Sequence, residues 1–136
     1  MTEQAIETLI KLCRGPGKHC SAVTKMAQGD CIKEVLKAAA EVDHKYRKLL
    51  RQVADKRWDN WLGAIKQDLM REGFIALGGN LVRDKQPGDL LFIQLRFAPV
   101  DHLGLFLGEG LFLHYVSGRL CLGRLADFQV VSVGRI

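Results

Sequence analysis

Apolar residues in the first half of the chain recur every three or four positions, the spacing that places them on one face of a helix. The first such stretch, residues 3–13, predicts a short opening helix that ends before Gly15-Pro16-Gly17. The same spacing continues over residues 31–70. A single rod of that length does not pack into a small domain, so we expect two or three helices there, with breaks near Asp43 and within residues 59–63.

Turn-forming residues mark the start of the second helical stretch. Gln28-Gly29 supply a turn and Asp30 is the predicted N-cap, which places Cys31 in the first turn of the helix. The partial positive charge at a helix N-terminus lowers a thiol pKa, and the backbone N–H groups there can stabilise an oxyanion. Cys31 is therefore a candidate nucleophile. The commoner alternative, a small buried cysteine without reactivity, stays open at this point.

The second half of the chain carries short apolar runs between turn signals, the pattern of strands. The predicted strands are residues 81–83, 90–97, 102–107, 111–116, 120–122 and 129–133. Gly108-Glu109-Gly110 is predicted to join two of them as a hairpin. Helices first and strands after predict an α+β fold, in which N-terminal helices (1–72) pack on a C-terminal antiparallel β-sheet (80–136) within one domain, 1–136.

The predicted hairpin brings two histidines together. With Glu109 at the centre of a three-residue loop, Gly104 faces His114, and His102 becomes the diagonal neighbour of His114 on the same face of the sheet. Gly104 has no side chain to separate the two imidazoles. One ring can then act as a base for a thiol while the other fixes its tautomer and orientation. A slip of one residue in the register would place the two rings on opposite faces.

These residues resemble the NlpC-type cell-wall cysteine peptidases, a papain-like family, and in particular its phage-tail branch. The matching motifs are Asp30-Cys31 at a helix start, Pro87-Gly88-Asp89 before the base-bearing strand, His102-x-Gly104-x-x-x-Gly108, Phe112-x-His114 and Leu125-x-Asp127-Phe128. The resemblance covers nearly the whole chain and implies a papain-like, NlpC-type fold with a catalytic Cys31, His102 and His114.

The chain departs from the family at two places. Ile32-Lys33-Glu34-Val35 follows the cysteine where the family usually has Ser-Gly-Leu-Val. Residues 15–29 contain no clear counterpart of the Tyr and Gly-Gly stretch that lines the family's substrate groove. The family's chemistry is therefore matched more closely than its substrate groove.

The resemblance implies a thiol hydrolase that cleaves an amide bond, with peptidoglycan stem peptides and their γ-glutamyl-type bonds as the first expectation. Another amide substrate would also suit the altered groove. No cofactor and no metal are expected. The alternative from another class is a non-catalytic phage-tail or assembly module that retains the fold.

Composition and charge bear on location and partners. The 136 residues include 20 Lys or Arg and 15 Asp or Glu, a net charge of +5 that favours anionic partners without selecting one. Nucleic acid is not expected, since only the basic excess supports it. The N-terminus lacks the basic and apolar regions of a secretory signal, so we expect cytoplasmic synthesis, followed by delivery to the periplasm or incorporation into a virion through phage-tail or secretion-machine proteins. No apolar run is long enough to span a membrane.

The cysteines do not form a recognisable framework. Cys13, Cys20, Cys31 and Cys121 are irregularly spaced in a chain without an export signal, so we expect reduced thiols. A C-x-x-C pair is absent and His19 is adjacent to Cys20, a spacing that does not suit a tetrahedral metal ion.

Overall fold

A computed structural model of the chain describes its helical and strand-forming segments. These are residues 1–13, 28–54, 67, 69–73, 76–77, 83–94, 102–116 and 118–136, with the backbone alone described at 28–31, 54 and 76–77. The helices are α1 (Glu3–Cys13), α2 (Gln28–Val42) and α3 (Lys45–Ala54), and the backbone is also helical at 67 and 69–71. The strands are β1 (Ala76–Leu77), β2 (Leu90–Gln94), β3 (His102–Gly108), β4 (Leu111–Val116), β5 (Arg119–Arg124) and β6 (Gln129–Arg135), with a 3-10 helix at Leu125–Asp127 before β6.

The helices follow the predicted apolar spacing. α1 has the predicted bounds, and the Thr2 hydroxyl caps it by accepting a hydrogen bond of 3.1 Å from the Ala5 N–H. The break near Asp43 is confirmed, because α2 ends at Val42 and α3 begins at Lys45. The predicted break within 59–63 and the stop at 15–17 lie outside the described residues. No described helix combines the length and the apolar composition needed to cross a membrane.

The start of α2 differs from the prediction. The helix begins at Gln28, so Asp30 lies inside its first turn and is not the N-cap. Gly29 does not prevent this, since a glycine within a helix costs only about 1 kcal/mol relative to alanine. Cys31 is still within the first four residues of the helix, as predicted.

All strand pairs of the sheet are antiparallel, in the order β1-β6-β2-β3-β4-β5. β2 to β5 form a meander, and β6 returns to pair with β2 on the side away from β3. The α+β class is therefore confirmed. The strand expected at 81–83 is wrong at Arg83, which is not in a strand; β1 precedes β2 instead, pairing with β6. The other two residues of that prediction, and the part of 90–97 beyond Gln94, lie outside the described residues.

Alternation along the strands divides the interior into two layers. On one face, Leu103, Leu105 and Leu107 pack with the buried residues of the three helices, including Val35 and Leu36 of α2. On the other face lies a smaller cluster: Leu91, Ile93, Phe106, Phe112 and Val133, against which Leu125, Phe128 and Val130 pack. Every described side chain of the helices that belongs to these clusters lies in the first layer.

The turn before β2 is fixed by buried polar contacts. Asp89 is 2% exposed, and its carboxylate accepts hydrogen bonds of 2.8 Å from Nε and from Nη2 of Arg135. The same carboxylate accepts a 2.8 Å bond from the Gln86 N–H. The Tyr46 hydroxyl of α3 donates to the Gly88 carbonyl. These contacts join the turn to both α3 and β6, and so set where β2 enters the sheet.

Candidate active site

The β3–β4 hairpin brings His102 and His114 into direct contact. Gly104 faces His114, as predicted, and Phe106 faces Phe112. His102 and His114 share one face of the sheet, and their Nε2 and Nδ1 atoms, respectively, share a hydrogen bond of 2.8 Å. Both residues are buried, at 2% and 1% exposure. The prediction that the hairpin pairs these two imidazoles is confirmed.

The turn of the hairpin explains why the register does not slip. Gly108, Glu109 and Gly110 all have positive φ, at 94°, 53° and 73°. Two glycines adopt this conformation without steric cost and make the tight reversal possible. The register shifts by one residue between Phe106 and Gly108, where Gly108 pairs with Leu111. The bulge absorbs the extra residue at the turn, so the pairing beyond it keeps both histidines on one face.

Aromatic rings surround His114 on that face. The His114 ring lies 4.8 Å from the centroid of Phe112 and 5.5 Å from that of Phe128, the latter in an edge-to-face arrangement. His102 meets His114 at 5.1 Å between centroids, with their planes at 80°. Such edge-to-face contacts are favourable for aromatic rings and hold the His114 ring in one orientation.

Two glycines make room for this packing. A Cβ at Gly104 would lie 2.6 Å from Cδ2 of Phe112, and one at Gly123 would lie 2.5 Å from Cζ of the same ring. The Gly123 position would also be 3.1 Å from Nε2 of His114. Side chains at either position would displace the rings, so both glycines are part of the site.

Burial keeps the imidazole of His114 neutral. Desolvation, and secondarily the charge of His102, lower the pKa of His114 to about 3. At neutral pH His114 therefore carries a single ring hydrogen. When His102 is protonated, its Nε2–H donates to Nδ1 of His114, which requires the His114 hydrogen to sit on Nε2. In that arrangement Nδ1 is the ring nitrogen of His102 that takes no part in the hydrogen bond with His114.

Cys31 lies on a different element from the two histidines. Its helix, α2, packs against β3 and β4, the two strands that carry the histidines. The described α2 side chains pack on the leucine face of these strands, whereas the imidazoles lie on the opposite face. The Cys31 backbone is at the N-terminal end of α2, and the position of its sulfur lies outside what the structure describes. The structure thus brings two of the three predicted residues together and leaves the distance to the third undescribed.

Two contributors to the site were not assigned a role from the sequence, Gly123 and the ring of Phe128. The alternation of β5 held the signal for the first, because Gly123 shares a strand face with Cys121, which faces His114.

Cys121 and Cys13 are buried free thiols. Among the residues that the structure describes, no group of three or more His, Cys, Asp or Glu side chains is placed to hold a metal ion.

Fold and site together define an α+β protein with helices on one face of an antiparallel sheet and a buried pair of imidazoles on the other. Comparison with protein-family models, curated proteins and solved structures finds no significant match for the chain.

Proposed function

We propose that this protein is a thiol hydrolase of papain-like, NlpC type, which cleaves an amide bond in peptidoglycan stem peptides. The first bond to test is of the γ-glutamyl type. The observation that carries the proposal is the hydrogen bond between the buried rings of His102 and His114. A neutral imidazole that holds a second imidazole in one tautomer is the arrangement of an orienting residue and a general base. Cys31, in the first turn of a helix, is the proposed nucleophile.

In this mechanism Nδ1 of His102 takes the proton of the Cys31 thiol, and the thiolate attacks the carbonyl carbon of the amide. Backbone N–H groups at the start of α2 hold the developing oxyanion. The His102 imidazolium then gives its proton to the leaving amine, and the C–N bond breaks to leave a thioester. Water, deprotonated by His102, hydrolyses the thioester and releases the carboxylic acid and the free thiol. His114 stays neutral throughout and accepts the Nε2–H bond of His102.

The position of α2 sets a condition on this mechanism. Because α2 lies on the leucine face, the Cys31 thiol has to meet His102 at the end of the sheet. His102 is the first described residue of β3, and Cys31 is the fourth residue of α2. The proposal therefore requires that these two residues meet, with sulfur within about 4 Å of Nδ1 in the reacting state.

Digestion of purified muropeptides, read by mass spectrometry, tests the activity. Wild-type protein is expected to release cleaved stem peptides, and Cys31→Ala to release none. His102→Ala should lower the rate about 10²- to 10⁴-fold, as for loss of a general base. His114→Asn should keep more activity than His114→Ala, since the amide oxygen can occupy the place of Nδ1. His44→Ala, an exposed histidine, is the matched control. Full activity in Cys31→Ala refutes the mechanism.

A non-catalytic phage-tail or assembly module is the second candidate, and the placement of α2 on the leucine face favours it. Alkylation by iodoacetamide, mapped by mass spectrometry over a range of pH, separates the two. A hydrolase should show fast, selective alkylation of Cys31 below the pH at which an ordinary thiol ionises, and His102→Ala should move that profile to higher pH. A profile that is unchanged by His102→Ala, or slow labelling of all four cysteines alike, supports the module.

A further inference from the structure

A groove of about 500 Å³ lies between α1 and the tip of the β3–β4 hairpin, at the end of the sheet away from His102. One wall is the α1 face that carries Ile6 and Ile10, and the other is formed by Leu107 and Leu111; Pro87 also lines the groove. These side chains are apolar and are buried or half-buried, so the floor of the groove is apolar. This volume is in the range of sites that take small ligands or short peptide segments.

The rim of the groove is acidic. Glu3 and Glu7, one helical turn apart on α1, and Glu109, at the hairpin tip, line it and are exposed. Among the described residues that line the groove, none is a lysine or an arginine. Within the described part of the chain, none of the three carboxylates is shown in an ion pair or hydrogen bond. The chain as a whole has a charge of +5, so this rim has the opposite sign to the protein around it.

We propose that this groove binds a short basic segment of a partner protein, in which an apolar side chain enters the floor and flanking lysine or arginine side chains pair with Glu3, Glu7 and Glu109. The apolar floor supplies burial, and the acidic rim supplies selectivity, because charge complementarity across an interface discriminates between partners more than it adds affinity. At physiological salt the Debye length is about 8 Å, so the local carboxylates act on such a segment more strongly than the net charge of the distant surface. The inference does not depend on hydrolase activity.

The test uses the full-length chain and a fluorescein-labelled pentapeptide of alternating lysine and leucine, followed by fluorescence anisotropy. Two matched probes replace every leucine by serine or every lysine by glutamate. The lysine–leucine probe should bind with saturation, and each matched probe at least about tenfold more weakly. Equal binding of the serine probe would show that the apolar floor takes no part in binding, and so overturns the proposal. Absence of saturable binding by every probe overturns it as well. That second result is also the one expected if the chain itself fills the groove.

Charge variants locate the binding. Glu3→Gln, Glu7→Gln and Glu109→Gln together should weaken the lysine–leucine probe by about tenfold, because each exposed pair contributes little and the three act together. A control variant with the same change in net charge, Glu34→Gln, Glu41→Gln and Asp127→Asn, removes carboxylates that do not line the groove. The control should bind as wild type does. Equal weakening in both variants means general electrostatic attraction and overturns the proposal, as do methyl NMR shifts that miss Ile6, Ile10, Leu107 and Leu111. Cys31→Ala should bind normally, which separates this result from that of the hydrolase assay.

Discussion

Lowering the pH from 7 to 5 should destabilise the protein through His114. A histidine in an unfolded chain has a pKa of about 6.5, whereas burial, and then the charge of His102, lower the pKa of His114 to about 3 in the folded state. Between these values the unfolded chain binds a proton that the folded protein does not. The free energy of unfolding is therefore highest above the unfolded pKa and falls as the pH falls, by up to about 1.4 kcal/mol per unit.

The size of the effect follows from the same two pKa values. Between pH 7 and pH 5 the unfolded histidine passes from mostly neutral to almost fully protonated, while His114 in the folded protein stays neutral. The linkage relation then gives a loss of about 2 kcal/mol. The folded state of a typical domain is stabilised by about 5–15 kcal/mol, so this loss is a large part of the total.

Urea unfolding followed by circular dichroism at both pH values measures this loss. His114→Asn removes the titrating ring and keeps an acceptor for His102, so the variant should lose about 2 kcal/mol less than wild type on acidification. Groups that titrate away from the histidine pair contribute equally to both proteins and cancel in the comparison. His44→Asn, at an exposed position, should retain the wild-type dependence on pH.

Equal losses in wild type and His114→Asn would refute the assignment of His114 as a buried neutral ring. If the variant does not fold, the wild-type protein still decides the question by NMR. The imidazole shifts of His114 should stay constant from pH 7 to about pH 4.5, below which the folded-state pKa of about 3 begins to matter. A titration midpoint near pH 6.5 would contradict the reasoning.

Two further predictions concern stability. Gly123→Ala should destabilise the protein by about 1–3 kcal/mol in urea unfolding, because its Cβ would overlap the Phe112 ring; Phe112→Leu should remove part of that added cost in the double variant, and simple additivity would contradict it. Tyr46→Phe should cost about 1–2 kcal/mol, since it leaves the buried Gly88 carbonyl without the donor from α3; an unchanged urea midpoint would show that this hydrogen bond contributes nothing to stability.

The features predicted correctly from the sequence depend on contacts that are close along the chain. The pairing of His102 with His114 follows from the turn at Gly108-Glu109-Gly110, whose glycines permit the positive φ values of a tight hairpin. The bounds of α1 follow from its apolar spacing in the same way. The start of α2 was misplaced by three residues, since a single turn signal at Gln28-Gly29 weighs little against continued helix formation.

Long-range pairings had no such local signal. β6 pairs with β2 and with β1, so residues about 40 and 60 positions apart become neighbours, and no turn between them fixes the register. Arg135 illustrates the consequence. Its guanidinium binds the Asp89 carboxylate through two hydrogen bonds, a contact that neither residue's local sequence indicates.

The same alternation that made the histidine pair predictable also determines what a catalytic Cys31 would require. Leucine at 103, 105 and 107 directs one face of β3 to the helices, and the intervening positions, His102 among them, necessarily face away from α2. A hydrolase is then possible only at the end of the strand, where a side chain is no longer screened from the helix layer by the sheet. His102 is the first described residue of β3, and His114, on the neighbouring strand β4, packs against Phe112 and Phe128. The proposed hydrolase therefore assigns the two rings different roles: His102 exchanges protons with the thiol, and His114, whose pKa is lowered by burial, stays neutral.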